Sequence, residues 1–173
     1  MTQPSSLPDH VDHRQLSSHL QDHLTAASAG RARANDMADR YVGTDLGPVL
    51  RQFASELDDE HARLTELIEQ LGVTQPLPQQ AVARAGEIVG RFKPNGRLLG
   101  TPPTTPLFEL ELLRGGVNTK MGLWQTLSAY ADDLGLDRDE MDGLAEQAAD
   151  QSRRLEELHA KVRVEAYEPE PGI

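Results

Sequence analysis

Between Thr44 and Leu71 the chain keeps a strict helical rhythm. Leu46, Leu50, Phe53, Leu57, Leu64, Leu67 and Leu71 recur at steps of three and four, with one step of seven across position 60, which marks one side of a long helix for burial. The rhythm calls for an apolar residue at position 60 and finds Glu60 instead. A carboxylate on a buried seam is costly unless another element supplies a partner. The fold therefore has either to bring a compensating group to that level or to rotate the helix slightly, so that Glu60 and its partner lie at the rim with their stems along the core.

The rest of the chain reads as further helices of the same kind. After a polar tail over residues 1–11, a first helix is expected over about 12–42, with Leu16, Leu20, His23, Ala27, Gly30, Ala34, Met37 and Tyr41 on its seam. The small centre of that stripe leaves room for a neighbouring backbone or a bulky side chain. Gly43 is a natural stop, Asp45 a candidate cap for the second helix, and Pro48 is tolerated in its first turn. The second helix spans about 44–71. So short a connection makes the first two helices an antiparallel pair.

From Val73 to Thr105 the texture is rich in proline and glycine around one short amphipathic helix over about 79–92. A hairpin does not need so much chain, whereas a helix of ~28 residues is ~42 Å long and a return path beside it does. The segment reads as a crossover, which makes the second and third long helices parallel. The third is expected over about 105–134 with Leu110, Leu113, Val117, Lys120, Trp124, Leu127, Ala131 and Leu134 on its seam. Gly115, Gly116 and Gly122 cost this helix roughly 1 kcal/mol each relative to alanine, which close packing is expected to offset. Asp137 and Glu140 form a capping box for a last helix over about 137–167, followed by a tail over 168–173.

Counting levels then brings three seam breaks together. Glu60 lies about 15 residues into its helix and Lys120 about 15 into the helix parallel to it, while Gln151 and Ser152 reach the same height on the returning one. Ala26 and Ala27 are expected opposite them on the first helix. The expectation is a polar core layer of Glu60, Lys120, Gln151 and Ser152.

Composition removes several functions. With 17 Lys and Arg against 28 Asp and Glu, the net charge of −11 repels nucleic-acid phosphates, so no nucleic-acid partner is expected. No window approaches the length of an apolar membrane span, and the N-terminus lacks the apolar run of a secretory signal. The absence of cysteine excludes thiolate chemistry and suits a cytoplasmic protein. There is no Gly-x-Ser-x-Gly elbow, and the Gly-Arg-Leu-Leu-Gly run beginning at Gly96 lacks the ending of a phosphate loop.

Two antiparallel helices, a long crossover and a second antiparallel pair is the layout of the ferritin-like superfamily. The stretches HLQDHLTAASAGRARANDMADRY, FKPNGRLLG and ELELLRGGVNTKMGLWQTLSAYADDLG resemble uncharacterised bacterial proteins of that kind. RLTELIEQLG and SAYADDLG are fainter matches to bacterial stress-associated ferritin-like proteins. The resemblance implies an all-α, ferritin-like four-helix bundle with one short extra helix in the crossover.

The ligand pattern of that superfamily does not carry over. Two-metal bundles need a Glu from each of two helices and Glu-x-x-His from each of the other two. The first helix here has no glutamate, and the third offers Lys120 where a ligand belongs. Asp58 and His61 lie beside the seam of the second helix rather than on it. Glu156 and His159 form a literal Glu-x-x-His on the last helix, with Leu155 and Leu158 holding the seam beside them. The expectation is a non-enzymatic helical protein without a metal or other cofactor, acting by interaction with a second copy or an acidic protein. The alternative is a ferritin-like oxidoreductase or a metal-storage or stress protein.

Other groupings are weaker. His10, His13, His19 and His23 cluster near the first helix's start, and His19 and His23 are spaced to share a divalent ion. Arg84, Arg91, Lys93 and Arg97 concentrate positive charge on the crossover, as Arg31, Arg33 and Arg40 do on the first helix. If the two groups met, they would form a basic docking surface; the simpler outcome is pairing with nearby carboxylates. A small-ligand binder of this fold needs a cavity beside Gly30 and Trp124.

Overall fold

Every element in the computed structural model is helical; it describes residue 8, residues 10–73 and residues 102–167, and among these there is no strand. The crossover helix expected over 79–92, and Arg84, Arg91, Lys93 and Arg97 with it, lie outside the described residues. Helix α1 spans His13–Arg40, α2 Gly47–Gln70, α3 Thr105–Ala129, α4 Ala131–Leu134 and α5 Arg138–Glu165. No described helix is long and apolar enough to cross a membrane.

Local chemistry sets the ends. Asp12 caps α1 by accepting from the backbone N–H groups of Arg14 and Gln15. Asp45 does not cap α2; Leu46 is the cap residue, and its N–H donates to Thr44 Oγ1 at 3.3 Å. Gly47 is required there because a Cβ would stand 2.6 Å from the carbonyl oxygen of Tyr41. Asp137 caps α5 through the N–H groups of Asp139 and Glu140. The Glu140 carboxylate turns instead to Arg63 of α2, at 2.5 and 2.8 Å, so only half of the expected capping box is made.

The third long helix is shorter than its periodicity suggests. It breaks at Tyr130, and α4 adds one further turn before Gly135 ends it in the left-handed region. Arg138 Nη1 donates to the Ser128 carbonyl at 2.7 Å, which engages that oxygen from outside the helical ladder just where the helix breaks.

The two principal packing pairs are α1 with α2 and α3 with α5, joined by slimmer contacts of α1 with α3 and of α2 with α5. Cross-links fix the directions. Arg40 near the end of α1 meets Glu109 near the start of α3, Arg63 late in α2 meets Glu140 early in α5, Ser128 late in α3 meets Asp142 early in α5, and Ser28 and Arg31 of α1 meet His61 and Asp58 of α2 in reverse order. Each neighbouring pair is therefore antiparallel, and the diagonal helices α2 and α3 run parallel.

Leu50, Phe53, Leu64, Leu67, Leu110, Trp124, Leu127, Met141 and Leu155 fill the centre. Tight approach does not offset the cost of the α3 glycines. A Cβ at Gly115, Gly116 or Gly122 would meet nothing within 4 Å, and the same holds for Gly30 of α1.

Candidate functional site

Glu60 is 5% exposed and Gln151 fully buried, and both lie on the buried faces of their helices. The Lys120 ammonium donates to Glu60 Oε2 and, at 2.5 Å, to Gln151 Oε1. Gln151 Nε2 in turn donates to Glu60 Oε1 at 2.7 Å and to Glu56 Oε2 at 2.9 Å. Three helices thus close a ring of lysine, amide and carboxylate in which both Glu60 oxygens have donors. Burial lowers the pKa of Lys120, and the adjacent Glu60 carboxylate opposes that shift.

The ring continues outward through Glu56, which sequence reasoning did not single out. It accepts from Arg154 at 2.5 Å and from Gln52 at 2.9 Å. Burial raises its carboxyl pKa, but the hydrogen bonds from Arg154, Gln151 and Gln52 outweigh that and leave it lowered. Ser152 does not join the layer; its hydroxyl donates to Asn118 Oδ1 at 3.1 Å, on the outer side of the α3–α5 seam.

On α1 the register differs from the expected one by about a turn. Ser28 pairs with His61 and Arg31 with Asp58, which puts Ala29 and Gly30, rather than Ala26 and Ala27, level with Glu60. Neither position carries a side chain able to hold an ion.

A second buried carboxylate, Glu109, escaped the sequence reading. It is 2% exposed and accepts from Arg33 Nη1 at 3.0 Å, Arg40 Nη2 at 2.6 Å and the Tyr41 hydroxyl at 3.1 Å. Burial and the Glu109 charge together push the Tyr41 phenol up to about 12. Burial disfavours the Arg40 cation, yet its bonds to Glu109 and Asp36 raise its pKa overall. The signal was available: Glu109 stands four residues before Leu113, on the Leu113–Val117–Lys120–Trp124 stripe, and Arg33 and Arg40 are one heptad apart. Arg33 and Arg40 are thereby paired with Glu109, and Arg31 pairs with Asp58.

The metal-ligand candidates are dispersed. Asp58 pairs with Arg31 at 2.5 Å, and His61 Nε2 lies 2.9 Å from Ser28 Oγ. Glu156 pairs with Arg114 and His159 with Glu111, at 3.3 and 3.1 Å. Among the described residues, no three His, Asp or Glu side chains form a group that could hold a metal ion. His19 and His23 meet edge to face with ring centroids 4.6 Å apart, and burial first, then the charge of His19, lowers the His23 pKa to about 4. His10 reaches Asp133 at 3.2 Å, tying the start of the described chain to α4.

Beside the polar layer lies a cleft of about 670 Å³, walled by α1, α2 and α3, with no residue of α5 in its lining. It sits where the α1–α3 contact is slim, between the small residues of α1 around Gly30 and the Gly115–Gly116 pair of α3. Comparison of the chain with protein-family models, curated proteins and solved structures gave no match.

Proposed function

We propose that this protein is a ferritin-like four-helix bundle that acts by binding rather than by catalysis, with an internal lysine in the place of the superfamily's metal pair. The supporting observation is the double engagement of the Lys120 ammonium by Glu60 and Gln151. A divalent cation at this level needs free carboxylate oxygens and imidazoles from several helices. Both Glu60 oxygens are already bonded, and α1 presents Ala29 and Gly30 there. The donor set does not fit the ion.

Elemental analysis of untagged protein, isolated from cells supplied with iron and manganese, tests this reading. The expected content of either metal is far below one equivalent. Near-stoichiometric metal that disappears in Glu60→Gln would overturn the proposal and favour the metal-binding oxidoreductase or storage reading.

A further inference from the structure

The cleft between α1 and α3 is apolar within and carries an excess carboxylate in its lining. Its volume of about 670 Å³ lies in the range of small-molecule pockets, and Phe53, Leu57, Leu64 and Leu123 supply apolar walls. Charge in that lining is unequal. Asp36, Glu60 and Glu111 bring three carboxylates against the two cations of Arg33 and Lys120.

The inequality can be located. Lys120 is matched by Glu60, while Arg33 and Arg40 are matched by Glu109 and Asp36. Burial lowers the pKa of His23 to about 4 and that of His61 below its ordinary value, so neither ring makes up the difference at neutral pH. The excess falls on Glu111. Its Oε1 meets His159 Nε2 at 3.1 Å, a counter-charge only when that ring is protonated, and the nearby Arg114 is matched by Glu156.

The surroundings of Glu111 suit a cation with an apolar body. Gly115 stands one turn after it and has no side chain to fence the carboxylate from the cleft; a Cβ there would meet nothing within 4 Å. Phe108, 53% exposed, stands three residues before it, a spacing at which helical side chains meet, and an aromatic ring attracts a cation. The net charge of −11 draws cations toward the protein from a distance. We propose that the cleft binds an amphipathic organic cation, its apolar body against the walls and its ammonium at the Glu111 carboxylate beside Phe108. This goes beyond the binding role proposed above and does not depend on the polar layer having replaced a metal.

Three probes with one rod-shaped hydrocarbon body and different charge test it: diphenylhexatriene, its trimethylammonium derivative and its propionate derivative. All gain emission on leaving water, so each can be titrated with the full-length chain. The expected result is saturable one-to-one binding, with the cation about threefold to tenfold tighter than the hydrocarbon and the anion weaker than both. Glu111→Gln, at a half-exposed position, should erase the cation's preference and leave the hydrocarbon's affinity unchanged. Gly30→Leu and Gly116→Leu fill the cleft from opposite walls. Neither new Cβ meets a neighbour within 4 Å, and leucine is the better helix former, so both variants should keep their Tm. Each should weaken all three probes about tenfold or more, because the new side chain takes the space the body needs.

No saturable binding of any probe, or unchanged affinity in the folded leucine variants, overturns the site. Equal affinity for cation, hydrocarbon and anion, or a cation preference that survives Glu111→Gln, overturns the cationic occupant. Sedimentation showing a dimer that the leucine variants convert to monomer overturns the proposal in favour of a second copy covering the cleft.

Discussion

Glu60 and Glu109 are buried to nearly the same degree, yet they are neutralised in different ways. Glu60 is matched by a single ammonium and an amide brought from two other helices, at mid-height, where solvent has little access. Glu109 sits near one end and is matched by two guanidinium groups and a phenol from α1 alone. The Lys120 side chain is 16% exposed, whereas those of Arg33 and Arg40 are 22% and 37% exposed. A cation that can turn to water tolerates the loss of its partner; one held inside does not. The contrast teaches that burial of a carboxylate does not by itself set its energetic weight, because the freedom of its partner matters as much.

The largest expected effect sharpens that contrast. Glu60→Leu should cost roughly 3–5 kcal/mol in chemical denaturation, since it leaves Lys120 buried without its counter-charge. Combining it with Lys120→Met should recover most of the loss. If the double variant loses merely the sum of the two singles, the side chains do not interact and the contrast fails.

Glu109→Gln should cost less, about 1–2 kcal/mol, because Arg40 keeps Asp36 and Arg33 can extend toward solvent. A loss equal to that of Glu60→Leu would erase the distinction. The same variant should bring forward the late phenolate step of Tyr41, near pH 12, in an ultraviolet titration that Tyr41→Phe identifies.

The smallest effect concerns His23, whose cation is disfavoured by burial and by His19 and only partly favoured by Asp22. Its folded pKa of about 4 lies below the ordinary 6.5, so the unfolded chain binds the extra proton more readily. Its contribution is therefore fully present above pH 6.5 and is lost as pH falls toward 4. Discounting for the ring's remaining access to water, about 1 kcal/mol is at stake. Replacing His23 with Gln should flatten the stability profile by that amount between pH 6.5 and 4, and an unchanged slope would remove histidine from the comparison.

Much of this arrangement was legible in the sequence. The missing apolar residue at position 60, the lysine at 120 and the glutamine at 151 share a level once the crossover makes α2 and α3 parallel, and that is arithmetic on helix lengths. Glu109 was missed because Leu110 offered an equally good start to the α3 seam, and an i, i+3 step hid the i, i+4 alternative. Ser152 was misplaced because adjacent helical residues point about 100° apart, so Ser152 faces Asn118 while Gln151 faces the core. The cleft was anticipated only as a requirement. Small residues on a seam allow either tight contact or empty space, and sequence does not choose between them. Here Gly30, Gly115 and Gly116 border space.

The glycines of α3 divide that helix lengthwise. One side is fastened by leucines and Trp124; on the other, three glycines leave gaps between longer side chains, and the hydroxyls of Thr119 and Thr126 donate to the carbonyls of Gly115 and Gly122 at 2.9 and 2.8 Å. Peptide groups without overlying side chains open to water through brief local excursions that leave the remaining helices in register. Amide hydrogen exchange in mid-α3 is therefore expected to be faster than in the leucine-packed turns of the same helix.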